Sequence, residues 1–383
     1  MSGTRPMALP PSLSSVRCAD HRRFARTATL TGVTSLLLLC IALLVAPSVV
    51  EAKPAKVHAK AAAFAPPKGK LFAGVSDTGQ TSDFREYQRQ TGAHPAVLQS
   101  FESWGYIPTE AVRRWRETRT RGMLSLSTGP CWGCDAVISN ESIAEGKGDR
   151  YIVDLAKALA EHERPTYIRL LPEMNGYWNP YGAFHGSGER RPDRYSTANF
   201  KRAWKRFVLI VRGGKRVEIN RRLKRLKMPP ISAKTKRSLP RPKVAFAWVP
   251  QATGTPNVKG NQPADYFPGY AFVDWVGADV YGKFPSLQGL QSLYRKHPKA
   301  PFMIGEWSPW NRDDPGFVES MLRWVSKHGR TKLVVYYQGF GERSVNEFEI
   351  SDYPKSQKTL KRRLNSKRFT PFAPEFRKKR GKR

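Results

Sequence analysis

Cysteine is scarce in this chain, with four in 383 residues, and Cys18 and Cys40 fall within the first 52. The seven histidines are scattered, with no HxH or HExxH spacing, and no phosphate-cradling glycine loop occurs. Neither a metal nor a cofactor is therefore expected. Acidic residues are also few, 31 against 66 Lys and Arg, for a formal charge of +35. Such an imbalance speaks about partners and not about fold. Polyanions are the natural candidates: acidic polysaccharide, an anionic envelope or nucleic acid. The last is not expected, because no nucleic-acid-reading motif is present and the chain begins with an export signal.

No apolar run reaches the roughly 20 residues of a spanning helix. Residues 36–46 form a short apolar core after Arg22, Arg23 and Arg26, with a break at Pro47 and a small residue at Ala52. That pattern describes a secretory signal over residues 1–52, and so a secreted protein. An uncleaved signal anchor is the alternative, since Val49 and Val50 extend the apolar stretch. Residues 53–69, rich in Ala, Lys and Pro, read as a solvated linker.

Cys131 and Cys134 remain in the mature chain. A zinc site lacks a second ligand pair at suitable spacing, and a redox pair should open a helix. This pair lies in a Gly- and Pro-flanked loop, so a disulfide is the reading taken, against two idle thiols.

From residue 70 a strand–helix beat repeats. Strands are expected at 71–75, 95–101, 122–127, 166–171, 243–249, within 272–281, at 301–306 and at 332–337. Amphipathic helices fall between most of them; one spans 149–162, capped by Asp149, and a weak last one spans 355–364. Eight buried strands alternating with helices predict a (β/α)8 TIM barrel over 70–352. Residues 212–243 form a basic insertion and 353–383 a basic tail, each with thirteen Lys and Arg and one acid. Such runs are most often solvated, and a tether to an anionic cell-envelope polymer is the functional alternative.

Two strands end in a carboxylate. Residues 166–171 run apolar to Pro172 and then Glu173, and residues 301–305 run apolar to Glu306. In a barrel of this kind, catalytic groups gather at the C-terminal strand ends. Trp104, Trp178, Trp248, Trp307 and Trp310 fall at or just after strand ends, where indole faces suit pyranose C–H faces. Core packing is the bland reading, equally strong for Trp248. Asn175 is either a sugar-binding amide or a turn residue. Glu102 and Asp279 either line subsites or are buried in ion pairs.

Three segments resemble glycoside hydrolase family 26, the β-mannanase-like barrels of clan A: residues 169–178, 273–281 and 303–307. The resemblance implies Glu173 as acid/base, Glu306 as nucleophile and Tyr281 as the group that orients it. It further implies a retaining enzyme that cleaves β-mannan or another β-linked polysaccharide. One residue departs from the pattern: Pro172 stands where the family usually has His. The alternative is a catalytically inactive barrel that binds envelope or acidic polysaccharide.

Overall fold

The computed structural model describes residues 63–130, 133–232, 234–339 and 347–377. The expected signal, most of the expected linker, Cys131 and the last six residues lie outside them. Eight parallel strands form a closed ring: β1 (Leu71–Ser76), β2 (Val97–Ser103), β3 (Arg121–Ser127), β4 (Thr166–Leu170), β5 (Val244–Trp248), β6 (Trp275–Tyr281), β7 (Phe302–Ser308) and β8 (Thr331–Tyr336). Each pairs with the next, and β8 returns to β1 with Phe72 opposite Leu333. The fold is the expected (β/α)8 barrel.

Strand alternation explains the two apolar cores. Successive side chains point to opposite faces, so Phe72, Val97, Met123, Tyr167, Ala245, Trp275, Met303 and Leu333, one from each strand, fill the barrel interior. Their neighbours, among them Ile168, Leu170, Trp248 and Ile304, pack outward against the helices. The lower end is closed by residues 63–65. Tyr167 Oη donates to the Phe64 carbonyl at 2.6 Å, and Trp275 Nε1 donates to that of Ala63 at 2.9 Å.

The helices are α1 (Thr81–Thr91), α2 (Thr109–Glu117), α3 (Asp149–Glu161), α4 (Thr197–Val211), α5 (Pro263–Tyr266), α6 (Leu287–Lys296), α7 (Pro315–Lys327) and α8 (Pro354–Leu364). Local chemistry sets their starts. Ser196 Oγ accepts from the Asn199 N–H ahead of α4, and Asp314 accepts from the Phe317 N–H ahead of α7, which has Pro at its first turn. Helix α3 buries Ile152, Leu155, Ala156 and Leu159, as their spacing predicts. Asp149, however, is its first residue and not its cap. Gly148 caps instead, and the Asp149 carboxylate takes Arg206 Nε and Nη2 at 2.7 and 2.6 Å.

Both basic runs are folded where they are described. Within 212–243 a helix, Arg216–Arg225, buries Ile219 and Leu223, and Gly214–Lys215 pairs with Ser238–Leu239. The tail drawn at 353 holds the last barrel helix, α8, and Phe369–Thr370, which pairs with the start of β1. Its charge is partly consumed there. Glu319 on α7 takes both Arg362 and Arg363, while the tail's own acid, Glu375, pairs with Arg121 of β3. The packed barrel thus runs to residue 377, beyond the boundary drawn from sequence.

Candidate active site

Glu173 owes its position to an irregular turn. Strand β4 stops at Leu170, Pro172 can give no ladder hydrogen bond, and Leu171 and Glu173 both adopt left-handed backbone, φ 43° and 51°. That conformation costs about 1–2 kcal/mol at each non-glycine residue. The Glu173 N–H is tied to the Val249 carbonyl at 2.8 Å, and Tyr181 Oη donates to the Pro172 carbonyl at 2.7 Å. Two side chains then hold the carboxylate: Trp178 Nε1 donates to Oε2 at 2.8 Å, and the Gln251 amide donates to Oε1.

Glu306 reaches the interior through a β-bulge. Phe302 and Ile304 face outward, so strict alternation would send residue 306 outward as well. Between β6 and β7 the register shifts, Ala278 pairing with Ile304 but Asp279 with Glu306. The extra residue, Gly305, turns Glu306 inward and Trp307 outward. A side chain at 305 would not fit: a Cβ there would lie 2.8 Å from Asp279 Oδ1 and 2.9 Å from Val249 Cγ1.

The Glu306 carboxylate is gripped from three sides. Arg169 Nη1 and Gln99 Nε2, the latter at 3.2 Å, donate to Oε1, and Tyr281 Oη donates to Oε2 at 2.5 Å. The other guanidinium nitrogen of Arg169 binds Asp279, and both of those side chains are fully buried. One oxygen each of Glu173, Asp279 and Glu306 lie within 4.8 Å of one another. Three acids so close resemble a cation site, but the cation against Asp279 and Glu306 is Arg169 itself.

Burial and neighbouring charge raise three groups of the site. Burial, then the charge of Glu306, raises the Glu173 carboxyl above the ordinary range. Burial raises Asp279 well above its ordinary value, Arg169 opposing. Burial and then Glu306 raise Tyr281, so its hydroxyl stays a donor. Burial and the Glu306 charge thus favour the protonated form of Glu173.

The structure brings together Glu173, Glu306, Tyr281, Trp178 and Trp310. Trp310 meets the Tyr281 ring edge-on at 5.1 Å and carries the Lys283 ammonium 5.0 Å from its ring centre. The other three tryptophans are core. Trp104 packs on Tyr151 and Phe207, Trp248 on Phe267 and His297, and Trp307 on Phe317 and Tyr336. Trp248 and Trp307 sit at outward strand positions, between inward Ala247 and Val249 and beside inward Glu306. Asn175 is structural too. It is buried, and its amide bonds the backbone of Gln251 at 3.0 and 2.9 Å. Asp279 proves to be the buried ion-pair acid. Cys134 is disulfide-bonded, while its expected partner, Cys131, lies outside the described residues. Sequence reading missed Gln99 and Gln251 as site residues. Gln99, a polar residue inside an apolar strand, was the available signal.

Fold and site together define a (β/α)8 barrel with paired carboxylates at its mouth. No family model and no curated protein matches the sequence. Solved structures do. A family 26 β-mannanase from Bacteroides ovatus is similar at TM-score 0.53 and 15% identity, over 82% of this chain and 94% of that one. A Bacillus subtilis mannanase matches at 0.51 and 16%, over 79% and 87%. A family 26 protein from Muricauda sp. matches at 0.50 and 17%, over 79% and 91%. At such identity the likeness is one of fold.

Proposed function

We propose that the chain is an exported, retaining glycoside hydrolase that cleaves β-linked polysaccharide by double displacement. The observation that carries this reading is the separation of its two carboxylates. Oxygens of Glu173 and Glu306 within 4.8 Å suit the ~5–5.5 Å of retaining enzymes and not the ~6.5–9.5 Å that admits an inverting water.

In the first step Glu306 attacks the anomeric carbon while Glu173 gives its proton to the departing glycosidic oxygen. A covalent glycosyl–Glu306 ester results. In the second, Glu173, now ionised, takes a proton from water as the water attacks the anomeric carbon and Glu306 leaves. Arg169, Gln99 and Tyr281 hold the nucleophile in line through donors to both of its oxygens, and burial with the Glu306 charge favours the protonated acid. Gln251 and Trp178 steady Glu173 in its second role. Trp178 and Trp310 offer ring faces to the sugars.

The neighbouring structures are described as mannanases, which supports β-mannan or a related β-glycan as substrate. Pro172 in place of the usual His bears on which sugar is held and leaves the two-carboxylate chemistry in place. Export rests on the leader in residues 1–52.

The test is a β-glycan panel assayed for reducing ends. Glu306→Ala abolishes hydrolysis. Glu173→Ala slows it, and a small anion such as azide partly restores turnover as a glycosyl azide of retained configuration. Full activity in either variant overturns the assignment. Binding by the parent chain without release of reducing ends establishes the inactive-barrel alternative.

A further inference from the structure

We propose that residues 212–232 and 234–243 are a preformed docking surface for an acidic polysaccharide, on the side of the barrel away from the catalytic mouth. The segment joins α4 to β5, so it lies at the N-terminal ends of the strands, whereas Glu173 and Glu306 stand at the C-terminal ends.

The surface is held in shape. Ile219 and Leu223 anchor the helix Arg216–Arg225 from beneath. Asn220 bonds both backbone groups of Ile231 at 2.8 and 3.4 Å, and the Gly214–Lys215 ladder closes the base. On this frame Arg221, Arg222, Lys224, Arg225, Lys236 and Arg237 are exposed, and none makes an ion pair among the described residues. The contrast with the C-terminal segment is direct, since Arg362 and Arg363 there are neutralised by Glu319.

Arg221 is one helical turn from both Lys224 and Arg225, a spacing at which like charges repel. A chain of anionic groups lying along the helix relieves that repulsion and releases its own counterions. Among polyanions, the occupant assigned is a saccharide polymer. Residues 212–243 contain no Phe, Trp or Tyr, and so no ring on which a nucleic-acid base stacks. The helix turns Ile219 and Leu223 toward protein, so it has no broad apolar face for a bilayer. That the polymer is polysaccharide also rests on the hydrolase reading, under which a second grip prolongs residence between cuts.

The experiment uses the full chain and immobilised polygalacturonate. The parent is retained in about 50 mM salt and released steeply toward about 200 mM. The variant Arg221→Glu/Arg225→Glu/Lys236→Glu/Arg237→Glu binds at least about tenfold more weakly, and the same four changed to Gln fall between it and the parent. All three hydrolyse a short soluble oligosaccharide alike, which also reports an intact fold. Glu306→Ala binds as the parent does, and this arm separates loss of docking from failure of the hydrolase reading. Equal retention of the parent and both variants overturns the proposal. So does tighter binding by the parent to duplex DNA or phosphatidylglycerol vesicles at the same ionic strength.

Discussion

Replacing Arg169 with methionine removes the cation shared by two buried carboxylates while nearly preserving volume. Arg169 and Asp279 are wholly buried and the Glu306 side chain is 11% exposed, so water cannot substitute for the guanidinium. Breaking a buried ion pair from one side costs about 3–5 kcal/mol. A barrel of about 300 residues has an unfolding entropy near ~0.6 kcal/mol/K, so the melting temperature falls by about 5–8 °C. The loss depends on pH with a defined sign. Asp279 already sits above the ordinary carboxylate range, burial being the first cause, and loses the guanidinium that opposes that rise. A carboxyl raised in the native state binds a proton there that the unfolded chain has released, so stability drops as pH climbs between the two values. Scanning calorimetry therefore finds the larger deficit at pH 8 and the smaller at pH 5. Adding Asp279→Asn returns much of the lost stability at pH 8. An Arg169→Met protein that melts within about 1 °C of the parent at pH 8, or is destabilised equally at both pH values, refutes the reasoning.

Gln251→Ala deletes a donor to the ionised form of Glu173. The alkaline limb of the pH–rate profile moves upward, and the second step slows by roughly tenfold to a hundredfold, readable in pre-steady-state bursts. Gly305→Ala forces a methyl against Asp279 and Val249, costing about 1–3 kcal/mol in denaturant titrations and most of the activity. His162 is depressed to about 4 by burial and then by Arg116 and Arg164. The unfolded chain therefore takes up its proton first, and stability drains as pH falls from about 6.5 toward about 4. His162→Leu flattens that slope, which urea midpoints at pH 7 and 4.5 measure.

What could be read in advance followed from periodicity. Eight apolar runs ending in turn residues specified the ring, and two of them ending in Glu specified the site. Face was harder to read than position. Trp307 follows Glu306 directly, and in a strand adjacent side chains cannot share a face; the pair could not both line the cleft. Which one turns inward depended on the bulge at Gly305, a register shift between strands that no single-strand pattern contains. Asn175 misled because a polar amide beside a carboxylate at a strand end looks like a sugar ligand; here it satisfies the backbone that carries Gln251. The end of the barrel was drawn too early because α8 is so basic, with only Ser356, Leu360 and Leu364 buried.

Strand β1 rests between partners from distant parts of the chain: β2 on one flank, β8 on the other, and Phe369–Thr370 against its first two residues. During synthesis at ~5–20 residues per second, Leu71 waits roughly 15–60 s for Phe369 to emerge. Until β8 emerges and pairs with β1, one edge of the nascent sheet is open, and pairing across it with another polypeptide competes with ring closure. A ribosome that stalls before the eighth strand leaves a sticky, half-built product. The segment that reads as a solvated tail in sequence then arrives last and adds Phe369–Thr370 to the start of a strand already held in the ring.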